Sequence, residues 1–182
     1  MSTGAGNYPL VQATRPALRA LVAKTGEVAL LSVQEGNRSL TVLREESQQC
    51  LQTGGWVGRR SPMHCTASGR ALMYDFDDEL IETLTLDDLS TPTSASEGPK
   101  DLTGLLRRIE MEWARGYSVA SEEVEIGLTS ASAAVRDQLG HIAGVLNVSA
   151  PTSRIITRTD SIGQLLIAAS RAITQNLRSR RS

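Results

Sequence analysis

Apolar positions recur at helical spacing in three places along the chain. Leu18, Leu21 and Val22 mark a first helix, predicted to start near Thr14 with Pro16 in its first turn and to stop at Thr25-Gly26. Leu102, Leu105, Leu106, Ile109 and Trp113 form one stripe of another helix, and Gly116 follows where a left-handed C-terminal residue is wanted. Ile162, Leu165, Leu166, Ala169 and Ile173 mark a closing helix over about Asp160 to Leu177, with Arg178, Arg180 and Arg181 at its negative end.

Strand patterns fill the space between. Glu27 to Val33 reads as a strand, Gln34 to Asn37 as a turn and Ser39 to Arg44 as the hairpin partner, with Leu40 and Val42 alternating against Ser39, Thr41 and Arg44. Further on, Tyr117 to Ala120, a strand through Val135 and another from His141 to Ser149 are separated by a bend at Gly127 and a turn over 137–140. Shorter helices are predicted over Thr66 to Tyr74 and from a cap at Asp77 to about Leu84. Gly54-Gly55 reads as a loop, and the Ser/Thr/Pro-rich span Ser90 to Gly98 as a flexible connection. The order of helix, hairpin, helices, strands and closing helix is that of an α+β domain with an antiparallel sheet.

At 182 residues the chain fits one domain, with residues 1–13 as a disordered lead-in or the remnant of a linker and 14–182 as the folded unit. Aromatic residues are only 3%, so the core rests on Leu, Val, Ile and Ala. A free-standing DNA-binding module carries a basic excess, whereas this chain has a net charge of -1. Its two cysteines, Cys50 and Cys65, make no disulfide framework, and no signal-peptide pattern or membrane-length apolar run is present. A cytoplasmic protein is expected.

Candidate chemistry concentrates between Val57 and Leu72. There a Gly/Pro-broken loop feeds a helix start rich in Thr66, Ala67, Ser68 and Gly69, whose backbone N–H groups suit a small anion. The adjacent His64-Cys65 pair invites a nucleophilic reading, but chain neighbours rarely face one another for proton transfer, so no catalytic residue is assigned. His64, His141, Cys50 and Cys65 stand at no metal-ligand spacing, and neither metal nor cofactor is expected. Glu122-Glu123-Val124-Glu125 has the pattern of a solvated acidic face. The Arg178–Arg181 tail completes a helix dipole more readily than it binds DNA.

Taken together, several short motifs resemble the C-terminal effector-binding domain of the IclR family of bacterial transcription regulators. They are Pro62-x-His64, Ala67-x-Gly69-Arg70-Ala71-Leu72, Arg115-Gly116-Tyr117, Glu122-Glu123-x-x-x-Gly127, and Val148-Ser149-Ala150-Pro151 followed by Arg154. The resemblance covers residues 16 to 177. It implies a GAF-like (profilin-like) sheet and a pocket for a small organic acid, carboxylic or aromatic. Carried onto this chain, the pocket positions are Ala67, Ser68, Leu128, Ser130, Asn147 and Ser149. An acidic position used by one branch of the family falls on Ala120, and a cysteine on Ser130. The resemblance also places Glu122, Glu123 and Gly127 in a loop beside the cavity, where a carboxylate bonded to backbone donors would hold the loop shut.

The same resemblance implies a homodimer or tetramer that reaches DNA only through a separate winged helix-turn-helix domain absent from this chain. Strand edges and loop ends are the expected interfaces, since the 102–113 stripe and the final helix are needed to cover the sheet. Two other readings remain. One is an enzyme on a GAF-like scaffold using His64 or Cys65 in a polar cleft. The other is a pure dimerisation module, whose cavity would be filled by large side chains.

Overall fold

The computed structural model describes residues 8–48, 57–91 and 97–180. The expectations for Cys50, Gly54-Gly55, Arg181, the first seven residues and the middle of the 90–98 connection lie outside them. One antiparallel sheet has the strand order β3-β2-β1-β6-β5-β4. Its strands are β1 (Val28–Glu35), β2 (Arg38–Glu45), β3 (Arg60–Pro62), β4 (Ser118–Ser121), β5 (Leu128–Arg136) and β6 (Ile142–Pro151). The helices are α1 (Tyr8–Thr25), α2 (Ala67–Leu72), α3 (Asp78–Leu89), α4 (Leu102–Arg115), the single-turn α5 (Thr152–Ile155) and α6 (Thr159–Ser179). The α+β expectation is met. Among the described residues no helix is long and apolar enough to cross a membrane.

Strand alternation gives the sheet two different faces. Ala29, Leu31 and Val33 of β1, Ala131, Ala133 and Val135 of β5, and Leu146, Val148 and Ala150 of β6 pack with α1 and α6 in the main core. The opposite positions carry Leu30 and Ser32, Ser130 and Ser132, and Val145, Asn147 and Ser149. Here the register aligns Ser130 with Ser149, and Ser132 with Asn147. Over this second face lie α2, α3 and α4, around a smaller core that includes Met63, Leu72, Met73, Ile81, Leu105 and Ile109.

Three helices differ from the sequence reading, two in a boundary and one in the face it buries. α1 begins at Tyr8 rather than Thr14, so residues 8–13 are helical and not lead-in, and Pro16 lies inside the helix. Leu10 and Ala13 continue the buried stripe backwards, while the proline ring sits exposed on the far side. Packing along that stripe offsets the roughly 3 kcal/mol an internal proline costs. α3 is capped by Asp77, whose Oδ1 accepts from Leu80 N at 2.8 Å, but it runs on to Leu89. Its last turn is tied to β2 by the Arg38–Asp88 ion pair. In α4 the buried positions are Leu105, Ile109 and Glu112, and Trp113 is 57% exposed. A carboxylate takes the slot that periodicity gives to an apolar side chain, because it has a buried partner there.

Two glycines fix how the helices meet the rest. Gly116 ends α4 at φ 95, in the left-handed region, as its sequence position implies. Gly163 of α6 lies under the Tyr117 ring, where an added Cβ would come within 2.6 Å of ring carbon. Tyr117 Oη also donates to Asp160 Oδ1 at 2.6 Å, pinning the ring over the first turns of α6.

Helix propensity alone predicts that Gly163→Ala stabilises α6 by about 1 kcal/mol. The clash with Tyr117 should win, giving a net loss of about 1–3 kcal/mol and a melting temperature several degrees lower. Thermal unfolding of the variant measures the sign directly.

Candidate functional site

The turn before α2 is built around one side chain. Thr66 Oγ1 donates to the Pro62 carbonyl at 2.6 Å and accepts from Gly69 N at 3.0 Å, capping the helix. A Cβ at Gly69 would lie 2.4 Å from Met63 Cα, so only glycine lets the 62–64 turn fold onto the first turn of α2. This close packing aims the Ala67–Ser68 start of the helix at the polar face of the sheet.

Arg70, one turn on, is fully buried. Its Nε donates to Glu112 Oε1 at 2.6 Å, and its Nη1 to Glu123 Oε1 at 2.7 Å and to the His64 carbonyl at 3.0 Å. Nη2 donates to the Val119 carbonyl at 2.7 Å, with longer contacts to Glu112 Oε2 and Glu123 Oε2. Glu112 Oε2 in turn accepts from Val119 N at 2.8 Å. One guanidinium, using its whole fork of donors, therefore joins α2, the 62–64 turn, α4, β4 and the β4–β5 loop. The Val119 N–H and carbonyl on edge strand β4 are both engaged by this cluster, so this stretch of edge does not offer the free backbone expected of an interface.

The acidic run 122–125 divides its duties. Glu123 is buried in the Arg70 cluster, and burial raises its carboxyl above the ordinary range against the pull of Arg70. Glu122, at φ 54, accepts from Gly127 N at 2.9 Å and donates its own N–H to the Leu128 carbonyl at 2.9 Å. The loop is closed by a carboxylate on a backbone donor. Val124 and Glu125 are the exposed members, and they overhang the space in front of α2.

Under that loop is a cavity of about 50 Å³. All six residues expected from the sequence, Ala67, Ser68, Leu128, Ser130, Asn147 and Ser149, line it. So does Ala120. Four further polar residues come from the N-terminal hairpin and the turn after it: Ser32, Ser39, Thr41 and Arg59. The hydroxyls at Ser39 and Thr41 are legible as the polar half of the β2 alternation, but nothing in the sequence says which side of the sheet is closed. Arg59 is placed by backbone bonds, Thr41 N to the Arg59 carbonyl at 3.0 Å and Gly58 N to the Thr41 carbonyl at 2.8 Å.

The polar lining forms short chains of hydrogen bonds. Ser132 Oγ donates to Asn147 Oδ1 at 2.7 Å, and Asn147 Nδ2 donates to Ser149 Oγ at 2.8 Å. Ser149 Oγ lies 2.7 Å from Ser130 Oγ, and Ser39 Oγ donates to Ser68 Oγ at 3.0 Å. Hydroxyls both donate and accept, so these chains can turn toward an entering polar group without leaving an atom unpaired.

His64 and Cys65 are outside this cavity lining. Both are buried, and burial pushes the Cys65 thiol up to about 11, the opposite of what a nucleophile requires. Burial also lowers His64, whose Nδ1 has no hydrogen-bond partner. The nucleophilic reading therefore fails on position and on chemistry. Among the described residues no group of three or more His, Cys, Asp or Glu side chains could hold a metal.

Residues 3–175 match the family model described as "Bacterial transcriptional regulator IclR C-terminal". The repressor AllR of Klebsiella pneumoniae is 29% identical over 175 residues, which are 94% of this chain and 63% of that protein. The chain thus spans less than two thirds of this curated relative. The crystal structure of the C-terminal domain of the Escherichia coli regulator KdgR superposes with a TM-score of 0.81 at 24% identity, covering 93% of this chain and 98% of that one. The inducer-binding domain of PobR from Acinetobacter, a double mutant in complex with 3-hydroxybenzoic acid, gives 0.80 at 20% identity, covering 90% and 96%.

Arg70→Met should lower stability by about 3–5 kcal/mol in urea unfolding, because it takes the buried cation from two buried carboxylates and leaves them only the longer contacts of Arg108 at 3.5 Å and Arg115 at 3.7 Å. Glu123→Gln should cost less than that, since burial already disfavours its charged form.

A pH prediction follows from His64. Burial holds its folded pKa below the unfolded value near 6.5, so the unfolded chain takes up a proton that the folded chain resists. Its contribution is therefore present above about pH 6.5 and lost as the pH falls toward the lowered folded value. His64→Gln should flatten that part of a stability–pH profile measured by urea midpoints.

Proposed function

The chain belongs to the IclR family of bacterial transcriptional regulators, as its C-terminal effector-binding domain, and we propose that its cavity binds a small organic acid to control DNA binding. The family is one of non-enzymatic transcription factors, and the chain is read as a sensor. The observation that carries the ligand class is the cavity lining. Eight hydroxyl side chains and the Asn147 amide converge there from both halves of the sheet and from α2, and Arg59 is the one cation among the lining residues.

Such a lining favours a compact acid with several hydrogen-bonding groups. None of the lining residues is aromatic, and the space is small. The acid group is placed at Ala67–Ser68, where backbone N–H groups of the first turn and the Ser68 hydroxyl can donate, with Arg59 supplying positive charge. The apolar contacts come from Leu30, Ala67, Ala120, Val124 and Leu128. The relative PobR, described with 3-hydroxybenzoic acid, supports an acid as the ligand.

In this reading the ligand undergoes no reaction. It binds one arrangement of the domain better than another, and that difference in affinity shifts how paired DNA-binding domains are held. The DNA reader is a separate winged helix-turn-helix, and the sensor domains assemble as a homodimer or a dimer of dimers.

A thermal-shift panel tests the ligand class. Short hydroxy- and oxo-acids should raise the melting temperature more than hydroxybenzoates at equal concentration, because binding stabilises only the folded state. Ser68→Glu, which puts a negative charge where the acid group sits, should abolish the shift while circular dichroism remains that of the folded chain. A shift that survives in this variant would overturn the placement.

A further inference from the structure

Away from the effector cavity, a second depression of about 380 Å³ lies between the end of α4, the end of β5 and α6. It exists because β4 pairs only with Thr129 to Ser132 of β5, leaving Ala133 to Arg136 without a strand on that side. Its walls include Arg136, Arg171 and Arg178 and no carboxylate. Asp75 holds Arg136 through two hydrogen bonds, but Arg171 and Arg178 have no ion-pair partner among the described residues. Both project from one stripe of α6, which continues through Ile167 and Thr174. Trp113, a large exposed aromatic in a chain with few of them, forms the opposite wall. Exposed tryptophan beside arginine is the composition of an interface centre.

The complement to this groove lies on the same molecule. α3 and its cap run Asp77-Asp78-Glu79-Leu80-Ile81-Glu82-Thr83-Leu84-Thr85-Leu86-Asp87-Asp88, with no lysine or arginine. Ile81 and Thr85 face inward, while Leu80 is 41% and Leu86 54% exposed. Asp78, Glu79, Glu82 and Asp87 are exposed around the two leucines. An acidic helix with two bare leucines thus matches a groove of arginines and a tryptophan in charge and in apolar content.

We propose that α3 of one copy docks in the α4–α6 groove of a second copy. The proposal rests on the homo-oligomeric reading given above and names its surface. A two-fold axis lets each copy give its helix and receive its partner's, so the contact is made twice and closes without leading to filaments. Opposite charges steer the encounter, and the desolvated leucines and Trp113 hold it.

Charge reversal in pairs tests the surface by light scattering over a concentration series. The wild-type chain is expected at about twice its 19.6 kDa mass at tens of micromolar. Arg171→Glu with Arg178→Glu, or Glu79→Lys with Glu82→Lys, should each give monomers at that concentration with unchanged circular dichroism. An equimolar mixture of the two variants should return to the dimer mass, because each reversed groove then meets a reversed helix. Trp113→Ala, which leaves every charge in place, should weaken the dimer about tenfold or more. A dimer that survives both reversals would overturn this surface and leave the homo-oligomeric reading standing. A wild-type monomer at every concentration would overturn both, and neither outcome touches the assignment of the effector cavity.

Discussion

The part of the cavity's outer wall formed by α2 and the β4–β5 loop is held through the buried guanidinium of Arg70. It meets two carboxylates and two carbonyls from four different segments, with no solvent to share the load. A buried ion cluster is a poor source of net stability, since desolvating the charges offsets much of their attraction. Its value lies in direction. Greasy side chains would let α2, α4 and the β4–β5 loop slide over one another, whereas a planar fork of donors admits one arrangement. Ala67, Ser68, Val124 and Glu125 are where they are because Arg70 and Glu123 are bonded behind them.

That cluster also shows where reading the sequence stops. The stripe of α4 was legible at Leu105 and Ile109, but Glu112 occupied the next buried position while Trp113 faced outward. A rule that sends apolar residues inward cannot find a buried acid whose cation is 42 residues away. Glu123 was visible as one of a charged run and, through the family resemblance, as one of two carboxylates in a loop beside the cavity, with nothing local to separate it from Glu122. The start of α1 was missed for a different reason, since Pro16 looks like a first-turn residue until Leu10 and Ala13 are seen to continue the buried face.

The cavity was legible to a greater degree, because its residues lie in or close to the short motifs that carry the family resemblance. Ala67, Ser68, Leu128, Ser130, Asn147 and Ser149 converge as the family resemblance implies. What the motifs did not carry was the contribution of the first hairpin. Ser32 lies opposite Thr41 across β1 and β2, with their hydroxyls 3.4 Å apart, on strands that precede every motif. Their alternation reads equally well as a half-exposed hairpin. Only the helices folded over the second face turn those hydroxyls into an interior surface.

The division of the sheet into two faces has a consequence for how such domains diversify. Along β6, Leu146, Val148 and Ala150 belong to the core, while Asn147 and Ser149 face the cavity between them. Mutations at alternate positions of one strand therefore fall under different selection. Changes at the first set are judged by whether the domain folds, and changes at the second by what it detects. A lineage can exchange its ligand one residue in two, without moving a backbone atom of the scaffold that carries it.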